Sequence, residues 1–439
     1  MFGALSCTFL GDLLGRRMTI FIASVAQAIG AILQASAFAL PQFIIGRVFL
    51  GLGTGGIIAT VSVWQSELSK AESRGQHVSA FGVFCASGLA VALFIAFGLS
   101  FTQPSSISWR FTLAFTLLLS FLACTFIFTL PESPRWLCMR NREEEAREIL
   151  SILHDADTRG ANIEKEISDI RWSLEHSGKG SLRDMFKMGP QREFHRVIVA
   201  TIPQIFLQMS GVNSLVYYAP TIYEQQIHFS GTISGILAAA SQLAMVLGAF
   251  CCAWTVDRFG RRKLMMFGAA SMCLCFACLT GLTNDPNNTS ALKAAVFFLY
   301  FYFFVFAIGF LGIPFLYASE IAPTHLRAST CGLSTAISWL FNFLVAEVTP
   351  VAFADIGWKY FIVFCCLNAA FVPIIYFFLP ETSKRSLEKI DDIFRSSGSI
   401  FDPVRVANKL PNARSSEPQS EKDNDTSHVE DITPKQEEA

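Results

Sequence analysis

Residues 257–262 read Asp-Arg-Phe-Gly-Arg-Arg, and 245 positions earlier residues 12–17 read Asp-Leu-Leu-Gly-Arg-Arg. Two more charged patterns return in the same order. Ser66-Glu67 followed by Arg74 recurs as Ser319-Glu320 followed by Arg327, offset by 253 positions. Pro131-Glu132-Ser133 recurs as Pro380-Glu381-Thr382, offset by 249. So steady a period over three markers predicts a duplicated half.

Composition says where the two halves reside. Of 439 residues, 52% are hydrophobic, 16% are charged and 42 are phenylalanine, whereas a soluble chain carries about 25% charge. The fold class is therefore an all-α membrane protein of two parallel-repeat helix bundles, one recurring plan for secondary transporters. A formal net charge of -1 supplies no basic field for nucleic acid. Windows of mainly apolar residues, long enough to cross a bilayer as helices, fall at 18–39, 43–64, 79–101, 110–130, 197–220, 231–255, 264–283, 294–318, 328–349 and 358–379.

Lys and Arg gather in alternate loops: Arg16-Arg17, Lys70 and Arg74, the segment 135–195, Arg258 to Lys263, Arg327 and the tail. That side is expected to be cytoplasmic. Asn287 and Asn288 then begin glycosylation sequons in an outside loop. The expected organisation is an incomplete first bundle over 1–137, linker helices over 138–194 and a second bundle over 195–390. A cytoplasmic tail follows over 391–439, disordered from about residue 412. Two spans precede Asp257 but only eleven residues precede Asp12. By symmetry, roughly fifty residues holding a first helix and most of a second are expected before Met1. The spacing of Cys275 and Cys278 lies in a wholly apolar stretch and reads as packing, not metal or redox chemistry.

In order along residues 11–390, the motifs resemble the sugar porter family of the major facilitator superfamily. They are Gly11-Asp12…Gly15-Arg16-Arg17, Gly46-Arg47, Glu67…Arg74-Gly75, Trp109-Arg110 and Pro131-Glu-Ser-Pro-Arg-Trp136. The second half adds Gln208…Gly211…Asn213…Tyr217-Tyr218, Asp257…Gly260-Arg261-Arg262, Gly312-Ile-Pro314…Glu320…Arg327, Trp339…Asn342 and Pro380-Glu-Thr382. The resemblance implies the major facilitator fold, a twelve-helix plan here lacking helix 1 and part of helix 2. It also implies transport by alternating access, with carbohydrate:proton symport in the complete protein, a monomer in membrane lipid and a plasma-membrane location.

Charged pairs at helix ends suit a cytoplasmic gate whose ion pairs break when the site opens inward. Asp12, Arg16, Glu67, Arg74, Glu132 and Arg135 are assigned to one half; Asp257, Arg261, Glu320, Arg327 and Glu381 to the other. Carboxylates contribute little to orientation, so the acids point to a gate. Arg47 lies in an otherwise uncharged span and is costly there without a partner. In proton-coupled relatives the matching arginine pairs with an aspartate on the first helix, which makes Arg47 the proton-coupling candidate. Snorkelling outward is its bland alternative. Gly51, Gly53, Gly55 and Gly56 read as close helix packing rather than a nucleotide loop.

The substrate site is expected at mid-membrane, where broken helices free polar groups. Gln208, Asn213, Tyr217, Gln242, Trp339 and Asn342 are its candidates, since amides both donate to and accept from hydroxyls. Several family positions depart: Leu207, Met245 and Ser338 stand where amides are expected, Gly82 where a polar residue is, and Phe315 where tryptophan is. Fewer amides favour a smaller polyol such as glycerol, or a sugar in another pose. A non-transporting sensor on this fold and a non-functional fragment are the alternatives, and the short featureless tail counts against the first. No catalytic group, metal site or cofactor is expected.

Overall fold

The computed structural model describes residues 1–409 except 71, 156, 159, 178–181, 190, 227–228 and 286–287. Asn287 and the tail from residue 412 therefore lie outside the described residues. The first half holds α1 (Phe2–Leu14), α2 (Arg16–Ala35), α3 (Leu40–Leu68), α4 (Arg74–Ser100) and α5 (Ile107–Phe126). The linker folds as α6 (Pro134–Met139), α7 (Glu143–His154) and α8 (Ala161–Ser177). The second half begins with α9 (Glu193–Met209), α10 (Val212–Tyr217) and α11 (Ala219–Thr221), and continues through α12 (Gly231–Phe259) and α13 (Arg261–Leu282). It ends with α14 (Thr289–Phe306), α15 (Ile313–Ile321), α16 (Arg327–Ile356) and α17 (Tyr360–Phe378), beyond which lie α18 (Leu387–Arg395) and α19 (Asp402–Lys409).

Among the described residues, nine stretches are long and apolar enough to cross a membrane; the last, Thr324–Phe378, contains both α16 and α17. They coincide with the ten windows read from the sequence. The linker helices carry a small core of their own, formed by Leu137, Ala146, Leu150, Ile163, Ile167 and Ile170. Its apolar spacing on α7 and α8 leaves the acidic and basic residues on the outer faces. Asn288 caps α14, its side chain accepting from the Ala291 N–H at 3.0 Å.

The repeat is visible in the backbone. Gly15 (φ +84°) turns α1 into α2, and Gly260 (φ +91°) turns α12 into α13. In each case the left-handed region is one a side chain strongly disfavours. Gly211 (φ +99°) breaks the seventh family helix between α9 and α10. A Cβ there would sit 2.8 Å from Phe276 and 2.9 Å from Phe364. Gly211→Ala is expected to cost on the order of 3 kcal/mol, combining backbone strain with overpacking. Gly51→Ala, which has nothing within 4 Å, should leave thermal stability in detergent unchanged, and equal melting of the two variants would refute this account of the break. Close packing holds for the other glycines of that run: a Cβ would come within 2.4 Å of Ala23 O at Gly53, 2.9 Å of Ala4 N at Gly55 and 3.0 Å of Ala23 Cβ at Gly56.

The halves meet along α1 against α16, α3 against α15 and α16, and α4 against α12 and α15. Contact at the charged end is intimate. A Cβ on Gly75 of α4 would fall 2.1 Å from Asp257 Oδ1 of α12, so any side chain there would displace the Asp257 carboxylate.

Candidate transport site and charged gate

At the charged end each half builds the same unit. Arg16, buried at the start of α2, grips Glu67 through Nε–Oε2 at 2.9 Å and Nη2–Oε1 at 3.0 Å, and reaches Asp12 at 3.0 Å. Arg261 grips Glu320 at 3.2 and 2.8 Å and reaches Asp257 at 2.7 Å. Forked guanidinium–carboxylate pairs of this kind are strong and directional. They are also costly to break in a buried place.

Glu132 and Glu381 act through a different contact from the side-chain ion pair that their charge suggested. Glu132 accepts from the backbone N–H of Arg16 and Arg17, both at 3.1 Å. Glu381 accepts from those of Arg261 and Arg262 at 3.0 and 3.1 Å. The cause is local: the glycine turn leaves the first amides of the following helix unpaired, and a carboxylate there satisfies them and complements the dipole. Arg74 and Arg327 likewise donate to carbonyls at the ends of α3 and α15, Ser66 O and Ser319 O, each at 3.1 Å. Arg135 is buried in the first turn of α6.

Polar contacts between described residues join the halves directly. Arg327 lies 3.6 Å from Glu67, and Arg74 donates to Arg385 O at 3.3 Å. The Gln76 N–H donates to Asp257 at 2.7 Å, and Ser329 Oγ donates to Thr8 O at 2.8 Å. Through these contacts the charged ends of the two halves touch. Three of these contacts use backbone atoms, which no sequence pattern displays. Also missed was the buried pair of Arg196 and Asp391 at 2.5 Å, which ties α9 to α18. An arginine just inside the start of an apolar span was its only signal.

The expected substrate residues cluster in part. Gln208 Nε2 donates to Ser338 Oγ at 2.9 Å, while its Oε1 accepts from Asn213 and, at 3.2 Å, from Asn342. Asn342 also donates to Tyr217 Oη at 3.3 Å. The break at Gly211 brings this about, because it lets Asn213 fold back on Gln208. Gln208 is buried while Tyr217 is half exposed, so the cluster runs from a buried amide to an accessible phenol. Trp339 is half-buried beside Ser338. Gln242 stands apart: it is fully buried on α12, donates to Ser241 at 3.2 Å and joins no bond of the cluster among the described residues. Gln204, one turn before Gln208, is fully buried and neither amide atom finds a partner among the described residues.

Two departures from the family pattern, Gly82 and Phe315, lie where the halves approach closely. A Cβ on Gly82 of α4 would meet Gly312 N at 3.3 Å, and Phe81 packs edge-on against Phe315 with centroids 5.4 Å apart. A side chain at Gly82 would require the Gly312 backbone to yield by a few tenths of an ångström. Arg47 is exposed near the start of α3, its guanidinium over the Phe43 ring at 5.1 Å. It borders a largely apolar cavity of about 650 Å³ with Phe38, Trp109 and Thr112. Among the described residues no carboxylate pairs with it.

Comparison with known proteins gives one answer. The family described as "Sugar (and other) transporter" matches residues 1–394. The chain is 37% identical to the sugar transporter STL1 of Saccharomyces cerevisiae over 420 residues, covering 93% of this chain and 73% of that protein. It is 34% identical to the MFS-type transporter oryC of Aspergillus oryzae, covering 93% and 78%. The proton:xylose symporter XylE of E. coli, bound to 6-bromo-6-deoxy-D-glucose, superposes with a TM-score of 0.80 at 24% identity, covering 90% of this chain and 86% of that one.

Proposed function

The chain belongs to the sugar transporter family of the major facilitator superfamily and is a multi-pass membrane transporter, and from that premise we propose that its substrate is a small polyol such as glycerol, or a sugar held in a compact pose, moved by alternating access. The observation that carries this reading is the approach of the halves at Gly82 and Gly312, taken together with an amide cluster that has serine at 338 and leucine at 207. A full hexose needs more donors and acceptors than the Gln208, Asn213 and Asn342 amides supply, and unpaired hydroxyls are costly in a dry site. A three-carbon polyol needs fewer.

In this reading Gln208, Asn213, Tyr217 and Asn342 bind substrate hydroxyls, Trp339 faces the carbon skeleton, and Gln242 contributes from α12. The Arg16–Glu67 and Arg261–Glu320 units with Arg327 form the cytoplasmic gate, closed here. Arg47 carries proton coupling, a role supported by the resemblance and by its exposed charge in an apolar surround. The protein works as a monomer in the plasma membrane with its charged end cytoplasmic, as are both termini of the complete protein. The test is uptake by proteoliposomes holding the full chain. Labelled glycerol uptake should be blocked by unlabelled polyols at lower concentration than by any hexose, and an inward proton gradient should accelerate it in wild type but not in Arg47→Leu. Hexoses that outcompete every polyol would sink the substrate reading.

A further inference from the structure

The two charged turns are built alike, but their flanks differ. Leu13, Met18 and Trp136 of the first half occupy the repeat positions of Arg258, Lys263 and Arg385 in the second. Three apolar residues thus have three cations as their counterparts. In the first half the flank is filled: the Trp136 indole N–H donates to Asp12 O at 3.0 Å, and Arg140 donates to the same oxygen at 3.2 Å. In the second half the flank is an open cavity of about 520 Å³.

Its walls carry Arg258, Arg262, Lys263, Lys384, Arg385 and Lys409 against only two carboxylates, Asp257 and Glu381. Both acids are already engaged. Asp257 takes Arg261 and the Gln76 N–H, each at 2.7 Å. Glu381 takes the N–H groups of Arg261, Arg262, Thr382 and Ser383 at 3.0 to 3.1 Å. The cations come from three separate segments: the α12–α13 turn, the chain after α17, and the end of α19. Arg385 is buried at only 5% exposure and donates to Ala407 O at 2.5 Å; burial lowers its pKa from the ordinary arginine value while Glu381 opposes the shift, and a bound anion would oppose it further. Arg258 stacks on Trp254 at 4.7 Å, and Trp254 and Phe259 are 65% and 57% exposed. Exposed aromatics at the end of a membrane helix mark the headgroup level, so the cavity can be entered from the lipid as well as from the aqueous side.

We propose that this cavity binds a multiply charged phosphate group, carried either on the inositol headgroup of a membrane lipid or on a soluble phosphate ester. A single carboxylate would leave most of the wall uncompensated, whereas clustered phosphates match several lysines as point charges and arginines as forks. The occupant would bridge the α12–α13 turn to the segment after α17. Those two parts hold Arg261 through Asp257 and Glu381, so occupancy favours the closed gate and slows turnover. That consequence rests on the transport reading; the binding itself does not.

The test uses the purified full chain and two probes, a fluorescent short-chain phosphatidylinositol bisphosphate and soluble inositol trisphosphate. Wild type should bind at least one probe saturably. The triple variant Lys263→Met, Lys384→Gln, Lys409→Gln should weaken binding at least about tenfold, with an unchanged elution volume and melting profile. The control triple Arg142→Gln, Lys165→Gln, Lys187→Gln, drawn from the exposed linker, should weaken it less than about twofold, the exposed charges acting only through screened long-range attraction. Binding of the lipid probe alone would assign the site to a membrane headgroup, and equal binding of both to a free phosphate ester. Absence of saturable binding to either probe, or equal weakening by both triples, would overturn the proposal.

Discussion

Glu67→Ala is expected to lower substrate uptake by about a hundredfold or more, the largest single-residue effect in this molecule. Its carboxylate is 1% exposed, takes both arms of Arg16 and lies 3.6 Å from Arg327 of the opposite half. Removing it leaves two buried guanidiniums short of charge, and breaking a buried pair costs about 3–5 kcal/mol. That is enough to shift a conformational equilibrium by about two to three and a half powers of ten. The closed gate carries this cost because the Arg327 contact exists only while the halves touch. Glu67→Gln keeps the shape and part of the hydrogen bonding, so it should fall between wild type and alanine. Uptake within twofold of wild type in Glu67→Ala would show that the network is not a gate.

The second large effect is expected at Gln208. Its amide organises Ser338, Asn213 and Asn342 at once, and each buried polar group left without its partner costs about 1–3 kcal/mol. Gln208→Ala should reduce kcat/KM for uptake by roughly ten- to a hundredfold, mostly through KM, because the lost contacts bind substrate before the halves move. Gln242→Ala provides the contrast. Since Gln242 bonds only to Ser241 among the described residues, its removal should change uptake by only a fewfold. Equal losses in the two variants would place the site on α12 as much as on α9 and α16.

Much of this architecture could be read in the chain itself, and the physical reason is periodicity. Long apolar runs specify spanning helices without help from partners, and all ten windows became helix. The charged units were legible because Asp12 and Arg16, or Asp257 and Arg261, sit four residues apart on one face of a turn, and because every marker occurs twice. Gly211 announced its break by standing inside an apolar run among amides. Contacts made by backbone atoms were not legible. That Glu132 caps α2 follows from a left-handed glycine whose φ no composition reveals. That Gln76 meets Asp257 follows from the missing side chain of Gly75.

Contacts between segments far apart in the chain were equally hidden. Arg196 and Asp391 stand 195 positions apart, and nothing in either local pattern points to the other. The expected substrate residues divided along the same line. Gln208, Asn213, Tyr217 and Asn342 lie close to the helix break that gathers them. Gln242 was placed by its position on α12 alone, and it remains outside the hydrogen-bonded cluster. The narrowness at Gly82 was present in the sequence as a departure, but its meaning required Gly312 beside it.

The most direct test of the account is a reversible clamp across the charged end. Thr8 of α1 and Ser329 of α16 already touch across the halves at 2.8 Å. Thr8→Cys with Ser329→Cys, in a chain whose twelve native cysteines are replaced, can be bridged by a short bifunctional methanethiosulfonate and released by reductant. The account predicts that bridging abolishes glycerol uptake in proteoliposomes and that reduction restores it, because the halves must part there for substrate to leave. Uptake that continues at full rate through an intact bridge would contradict alternating access at this gate.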